Sequence, residues 1–415
     1  MKILFLHQNM PGQYKHLARV FGADPKNEVY FISKPKPVEI PGVKKITYKL
    51  HREQNKDIHH YLAPAESAVL YGQAVARVLM DLRKTGFKPD VVCAHPGWGE
   101  AMFVKDVFPD APLLNYFEFY YHSSGSDVGF DPEYNVTLND LCRIRVKNMN
   151  NLLSLEACDA GVSPTRWQRK QFPAEFLYKI AQIHDGIDTK IAAPNPGAKI
   201  QLPNGKQLGR DDEIVTYVAR NLEPYRGFPT FMRAVPEICR RRPNAHIVIV
   251  GGDGVSYGRK LPKGQTFRAK MLKEVKIDPE RVHFAGYLPY DKFLKILQAS
   301  SVHIYLTYPF VLSWSMLEAM SAGCLVIGSD TAPVTEVISD GKNGLLVDFF
   351  SPKQIAERID EVLDHKDRMA RIRKAARDTI LERYDLDMCL KKHVKLIKSL
   401  AAGKLPSVSR PLKVA

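Results

Sequence analysis

Short apolar runs alternate with longer amphipathic stretches along nearly the whole chain. Lys2–Leu6, Glu28–Ser33, Asp90–Ala94, Leu113–Phe117 and Gly161–Ser163 have strand length, and several run straight into polar or glycine-bearing loops. Lys15–Phe21, Pro64–Lys84 and Asp140–Ala157 read as helices, and another starts at Thr165. In Pro64–Lys84, Val69, Leu70, Val75, Val78, Leu79 and Leu82 recur at helical spacing, with Pro64 near the start and Gly86 beyond the end. Further on, Ile214–Ala219, Ala245–Val250, Val282–Ala285, Val302–Leu306 and Cys324–Gly328 predict strands. Gly227–Arg240, Tyr290–Ala299, Lys353–Leu363, Lys366–Glu382 and Leu386–Leu400 predict helices. This alternation indicates an α/β chain with doubly wound parallel sheets.

The pattern breaks once. Between Asn195 and Asp212, Pro196, Gly197, Pro203, Gly205 and Gly209 stand without apolar periodicity. The expected organisation is a first domain over 1–194, a linker over 195–212, a second domain over 213–385, and a closing helix and tail over 386–415, of which the last fifteen residues are expected to be mobile. Two domains suit 415 residues. Ligands bind outside the carboxyl ends of parallel strands, so the function is expected in a cleft lined by both sets of strand-end loops.

The net charge of +15 is spread over the chain, with clusters at Arg240–Arg242, Arg259–Lys276 and Lys391–Lys398, then Lys404, Arg410 and Lys413. Such charge attracts nucleic acid, anionic lipid or phosphorylated small molecules, or is plain solvated surface. No nucleic-acid motif with interleaved aromatics accompanies it, so nucleic acid is not an expected partner. The six cysteines are dispersed, which argues against a zinc site or disulfide framework and for a reducing, cytoplasmic setting. The N-terminal apolar run is too short for a signal segment, and no stretch has transmembrane length.

Candidate chemistry gathers at strand ends. In Tyr305–Asp330 a loop delivers backbone N–H groups to a short helix that Gly323 stops, forming a ready anion site. Glu318 interrupts that apolar helix, either as a core acid paired with a neighbour or as a ligand contact. Arg220 and Arg226 flank ARNLEPYRG and suit a bidentate diphosphate clamp, or else a surface pair bonding acids such as Glu223. Gly251, Gly252 and Gly254 form a nucleotide-like turn without a full dinucleotide fingerprint, and Gly12 permits close backbone approach to a phosphate. His7, His95, His122 and His184 sit at or near strand ends, each read as a satisfied loop histidine; no metal site is expected. Glu118 ends a strand before an aromatic loop, as a site acid or a salt bridge at the sheet rim.

In order, VARNLEPYRG, VGGDG, VHFAGYL, LEAMSAGCLVIGSD, PVTEVI and DGKNGLLVD resemble the retaining glycosyltransferases of the GT-B fold, specifically family 4 with its bacterial mannosyl- and glucosyltransferases. Ile183–Lys190, IHDGIDTK, resembles the family's interdomain segment, with Asp185 where Asn is common. The resemblance implies two Rossmann-like domains facing across a cleft, and retaining transfer from a nucleotide sugar to a glycan, lipid-linked or small-molecule acceptor. No cofactor or metal is implied. It assigns the donor diphosphate to Arg220 and Arg226, the ribose hydroxyls to Glu318, and the diphosphate and sugar to the turn at Ser313 and Trp314. Tyr287 and Leu288 border the base, Gly252 belongs to the donor-side glycine turn, and Gly12 lies in the loop closing over the phosphates. Two departures stand out. Phe310 occupies the position of the family's first motif acid, which contacts the donor sugar. Glu118 falls where many members carry an active-site histidine, so either Glu118 substitutes or His122 reaches in. The rival readings are a nucleotide-sugar epimerase and a non-catalytic nucleotide-sugar binding protein. The basic C-terminal half is expected to contact anionic membrane at the cytoplasmic face.

Overall fold

A computed structural model describes residues 1–202 and 205–404; Pro203, Arg410 and Lys413, and with them most of the expected mobile tail, lie outside the described residues. The chain divides into two compact units, Met1–Asp185 together with Asp387–Ala415, and Gly186–Leu386.

The first unit is built on a seven-stranded parallel sheet. Its strands are β1 (Lys2–Leu6), β2 (Glu28–Ser33), β3 (Val43–Thr47), β4 (Val91–Ala94), β5 (Leu113–Tyr116), β6 (Ala160–Ser163) and β7 (Ile180–Gln182), in the order β3-β2-β1-β4-β5-β6-β7. Alternate residues of one strand feed opposite faces. Leu4 and Leu6 join Val92, Ala94 and the Val75 and Leu79 of helix Ala63–Lys84 on one side. Ile3 and Phe5 join Leu17, Phe21 and, from the last helix, Leu396, Ile397 and Leu400 on the other. A strand covered on both faces has to be apolar throughout, which is why Ile3–Leu6 carries no polar residue.

The second unit repeats the plan. A hairpin of β8 (Lys199–Gln201) and β9 (Gln207–Gly209) precedes β10 (Ile214–Asn221), β11 (His246–Gly252), β12 (Val282–Gly286), β13 (Val302–Tyr305), β14 (Val326–Ser329) and β15 (Leu345–Val347). The six later strands form a parallel sheet in the order β12-β11-β10-β13-β14-β15. In both sheets the order reverses beside the first strand, between β1 and β4 and between β10 and β13. Such a switch point opens a crevice at the carboxyl ends, the usual ligand position in this architecture.

Several expectations change. The stretch 195–212 is part of the second unit: Ala198, Ile200, Leu202 and Leu208 are buried against Val248, Val250 and Ile296, and the division between units falls at Asp185 and Gly186. Helix Leu386–Ala401 belongs to the first unit. The single helix expected over Asp140–Ala157 is two, Leu138–Lys147 and Met149–Ala157. At the junction Asn148 donates from Nδ2 to the Tyr121 carbonyl (2.7 Å) and accepts the Tyr121 N–H (3.1 Å), so its side chain fastens the aromatic loop. Val69, counted in the apolar stripe of Ala63–Lys84, is exposed. Among the described residues no helix is long and apolar enough to cross a membrane.

Candidate active site

At the switch point of the second sheet, β10 ends in Arg220 and Asn221, and the turn Pro224–Arg226 leads to Gly227. Gly227 has φ +67°, and a Cβ there would lie 2.4 Å from the Leu306 Cβ, so this entry to helix Phe228–Arg241 requires glycine. Arg226 is 7% exposed. Its Nη1 donates to Tyr305 Oη (3.1 Å), Thr307 Oγ1 (2.7 Å) and the Val311 carbonyl (3.0 Å), and its guanidinium lies 5.3 Å from the Tyr257 ring centre. Every one of these partners is neutral. A buried cation bonded to neutral acceptors keeps its field, and that field acts on the Tyr305–Ser313 loop.

Arg220 differs: it is exposed and forms no hydrogen bond or ion pair with the described residues. Although the Arg226 backbone N–H donates to the Glu223 carbonyl (3.2 Å), the guanidinium of neither arginine bonds the Glu223 carboxylate among the described residues. That side chain is fully buried, with Oε1 accepting the Ser256 N–H (2.9 Å) and Oε2 those of Tyr257 (3.1 Å) and Gly258 (3.0 Å). The surface-pair reading of the arginines is thereby corrected, because Glu223 is committed to the glycine-rich loop.

The donor-side candidates gather around the same loops. A Cβ at Gly252 would fall 2.3 Å from the Tyr287 ring, and Tyr287 Oη donates to Asn221 Oδ1 (2.6 Å). Tyr287 is otherwise 67% exposed, whereas Leu288 packs on the core. Ser313 donates its N–H to Tyr305 Oη (2.8 Å) and caps helix Trp314–Ser321 by accepting from Ser315 N–H, leaving Trp314 exposed. Glu318 is half-buried and accepts from Tyr290 Oη (2.8 Å), so it stands as a rim carboxylate with a phenol neighbour. Phe310 is 5% exposed and meets Tyr225 and Tyr257 edge-on, at ring separations of 5.5 and 5.2 Å. The missing acid is replaced by one wall of an aromatic cluster beside Arg226.

At the switch point of the first sheet, His7 follows β1 and His95 follows β4, with ring centres 5.0 Å apart. His7 Nδ1 accepts the Asn9 N–H (2.9 Å), which places its proton on Nε2, and that nitrogen donates to Gln13 Oε1 (2.7 Å). Burial pushes His7 down to about 4, so it is neutral at neutral pH. Gly12, at φ +49°, is where a Cβ would lie 2.4 Å from the His7 imidazole; the glycine makes room for that ring. His95 is sandwiched between Trp98 (4.7 Å, 26°) and Tyr116 (5.5 Å, 23°), and Tyr116 Oη donates to Asp185 Oδ2 (2.9 Å). Glu118, just beyond β5, brings Oε2 within 3.8 Å of His95 Nε2.

Between the two alternatives for the active-site position, Glu118 stands at this histidine pair. His122 instead places Nε2 2.8 Å from the Gln171 carbonyl, beside Tyr120. The histidine pair was not legible as a site in the sequence. The available signal was that His7 and His95 directly follow two strands, but only the strand order makes those strands neighbours at the reversal. His184, also placed at a strand end, is buried against His393, whose Nε2 lies 3.2 Å from its carbonyl.

Residues 25–192 match the glycosyl transferase family 4 group and residues 201–379 match glycosyl transferases group 1. Over 248 residues the chain is 26% identical to a GDP-mannose-dependent alpha-(1-6)-phosphatidylinositol monomannoside mannosyltransferase of Mycobacterium tuberculosis, covering 56% of this chain and 60% of the relative. A D-inositol 3-phosphate glycosyltransferase of Acidothermus cellulolyticus is 27% identical, covering 45% and 41%. The chain thus spans about half the length of the curated relatives it matches. Among solved structures, Anabaena HepE in complex with UDP and glucose superposes with a TM-score of 0.67 at 16% identity, covering 96% of this chain and 100% of HepE. Sucrose-phosphate synthase from Thermosynechococcus elongatus gives 0.71 at 17% identity, covering 97% and 100%. These likenesses concern the fold.

Proposed function

Because the chain belongs to the family 4, group 1 glycosyltransferases and has their GT-B pair of Rossmann-like domains, we propose that it transfers a glycosyl group from a nucleotide-sugar donor to a hydroxyl of a sugar, glycan or lipid-linked acceptor, with retention of anomeric configuration. The observation that carries this reading is Arg226: a buried guanidinium whose hydrogen-bond partners among the described residues are all neutral, at the switch point of the second sheet. A diphosphate supplies the missing negative charge. Exposed Arg220 reaches the same anion from solvent, and the start of helix Trp314–Ser321 adds its backbone dipole.

In this reading Glu318 takes the ribose hydroxyls, and Tyr287 and Leu288 border the base. As the donor bond breaks, negative charge grows on the bridging oxygen, and Arg220 and Arg226 stabilise it without a metal or further cofactor. The leaving phosphate takes the acceptor proton, so no protein nucleophile is needed. Glu118 orients the acceptor hydroxyl by accepting its hydrogen bond.

Nucleotide release from a panel of UDP-, GDP- and ADP-sugars, with and without acceptor extracts, tests the reading. Acceptor-dependent release from at least one donor is expected, with the anomeric configuration of the donor kept in the product. Binding without turnover across the whole panel would replace the transferase with a sugar-nucleotide binding protein, and sugar isomerisation without acceptor would replace it with an epimerase.

We further place the protein at a cytoplasmic membrane face, because Lys391, Lys395 and Lys398 are exposed on the last helix. Each lysine near an anionic surface is worth about 1 kcal/mol. Flotation with phosphatidylserine-containing vesicles should exceed flotation with neutral ones and fall with salt. Equal flotation on both would remove the membrane from the reading.

A further inference from the structure

We propose that Arg210 and Arg373 form a second anion site, fitted to a phosphate group, at the amino ends of β13 and β14. It lies at the other end of the second sheet from the donor-side residues and does not depend on the transferase reading. Helix Lys366–Arg383 carries Arg373 to the segment before β13, where its Nη2 donates to the Ser301 carbonyl (2.7 Å). The turn after β9 meets the same residue. Ser301 Oγ donates to the Asp212 carbonyl (2.8 Å) and accepts the Ile214 N–H (3.0 Å), which holds Arg210, two positions before Asp212, at this end of the sheet.

Arg373 is half-buried, yet that carbonyl is its one hydrogen-bond partner among the described residues. Its Nε is buried with no acceptor, and Nη1, also without one, keeps access to solvent. Arg377, one turn along the same helix, shows the contrast: its guanidinium is spent on the carbonyls of Thr189 (3.2 Å), Ala192 (3.2 Å) and Ser321. An unmet donor on a charged group is costly, so Arg373 is incomplete where Arg377 is not.

Counter-charge is missing as well. Arg210 is exposed, and among the described residues neither its side chain nor that of Arg373 forms an ion pair. Asp212 shares the turn with Arg210, but its Oδ2 accepts the Gly209 N–H (2.8 Å). Burial, with the like charge of Arg210 adding to it, holds the Arg373 guanidinium below its ordinary range. The neighbouring Cys324 brings no relief, because burial pushes its thiol up to about 11 and leaves it neutral. A phosphate offers up to two negative charges and enough oxygens to meet Nη1 of Arg373 and the fork of Arg210 together. Bound there, it ties the turn after β9 to the helix.

The test follows the Arg373 Nε–H resonance of the full chain, assigned by its loss in Arg373→Lys, during titration with inorganic phosphate, glycerol phosphate or sodium chloride at matched ionic strength. A saturable shift is expected with both phosphates and not with chloride, and the tighter of the two tells free phosphate from a phosphate ester. In Arg210→Gln the midpoint should rise about tenfold, the loss of one charge-assisted contact. In Arg220→Ala it should stay where it is in the wild type, since that arginine belongs to the other end of the sheet. A resonance that phosphate does not move, or that chloride moves equally, overturns the proposal, and so does an unchanged midpoint in Arg210→Gln. Arg210 is exposed, so that variant serves even if the Arg373 variant does not fold.

Discussion

Arg226→Ala is expected to abolish measurable binding of a nucleoside diphosphate and to cost roughly 3 kcal/mol of stability, whereas Arg220→Ala should weaken binding about tenfold and leave stability within about 0.5 kcal/mol. The asymmetry follows from where the two guanidiniums sit. Arg226 ties the loop after β10 to Tyr305, Thr307 and the Val311 carbonyl, so its removal leaves three acceptors without their donor and loosens the loop that leads to Ser313. Arg220 is exposed, and its side chain forms no hydrogen bond or ion pair with the described residues. Calorimetric titration with UDP and GDP, paired with denaturant unfolding, separates the two effects. If both variants bind nucleotide as the wild type does, the diphosphate assignment is wrong. If Arg226→Ala unfolds in the same denaturant as the wild type, its bonds to the loop are not holding the structure.

The second large effect belongs to Glu223. Its carboxylate is fully buried and satisfies three consecutive backbone amides, Ser256, Tyr257 and Gly258. Glu223→Ala orphans all three, at about 1–3 kcal/mol each, so a loss of at least about 3 kcal/mol is expected. Glu223→Gln with its carbonyl in the Oε2 position keeps the Tyr257 and Gly258 bonds and should lie between the two. Hydrogen exchange at residues 255–258 provides the local reading: faster exchange there in Glu223→Ala, ahead of the strands, is the expected result. Protection unchanged at those amides would show that something other than Glu223 holds the loop.

Much of this architecture was readable from the chain because parallel strands buried on both faces must be continuously apolar. Ile3–Leu6, Val91–Ala94 and Ile247–Val250 announce themselves for that reason. Where a strand lies at an edge, the rule lapses. β3 reads VKKIT, with Lys44 reaching Glu28 and Lys45 reaching Glu39, so its polarity hid it among loop residues. The β8–β9 hairpin was hidden by its own turn residues: four buried apolar side chains spread over a Pro- and Gly-rich segment leave no period to count. The candidate site divides in the same way. Local motifs located Arg220, Arg226, Gly252, Ser313 and Glu318, because a strand followed by a turn and a helix is a contiguous pattern. His7 and His95 are eighty-eight residues apart in the chain, and only the pairing of β1 with β4 brings them together. The partner of Glu318 was invisible for the same reason, since Tyr290 arrives from a different helix.

The last helix gives the chain an unusual order of completion. Leu396, Ile397 and Leu400 share a core with Ile3 and Phe5 of β1, a strand made long before them. The whole second unit, Gly186–Leu386, is therefore spelled out between the two parts of the first. On a ribosome that synthesises from the N-terminus, the later-encoded unit has all its residues, and can close its own sheet, while the earlier one still lacks a wall of its core. The first sheet must wait, with one apolar face uncovered, for the final helix. Seen as a gene, the second unit is a cassette set inside the first, and the residues at which the chain leaves and returns, Asp185 and Asp387, mark its borders.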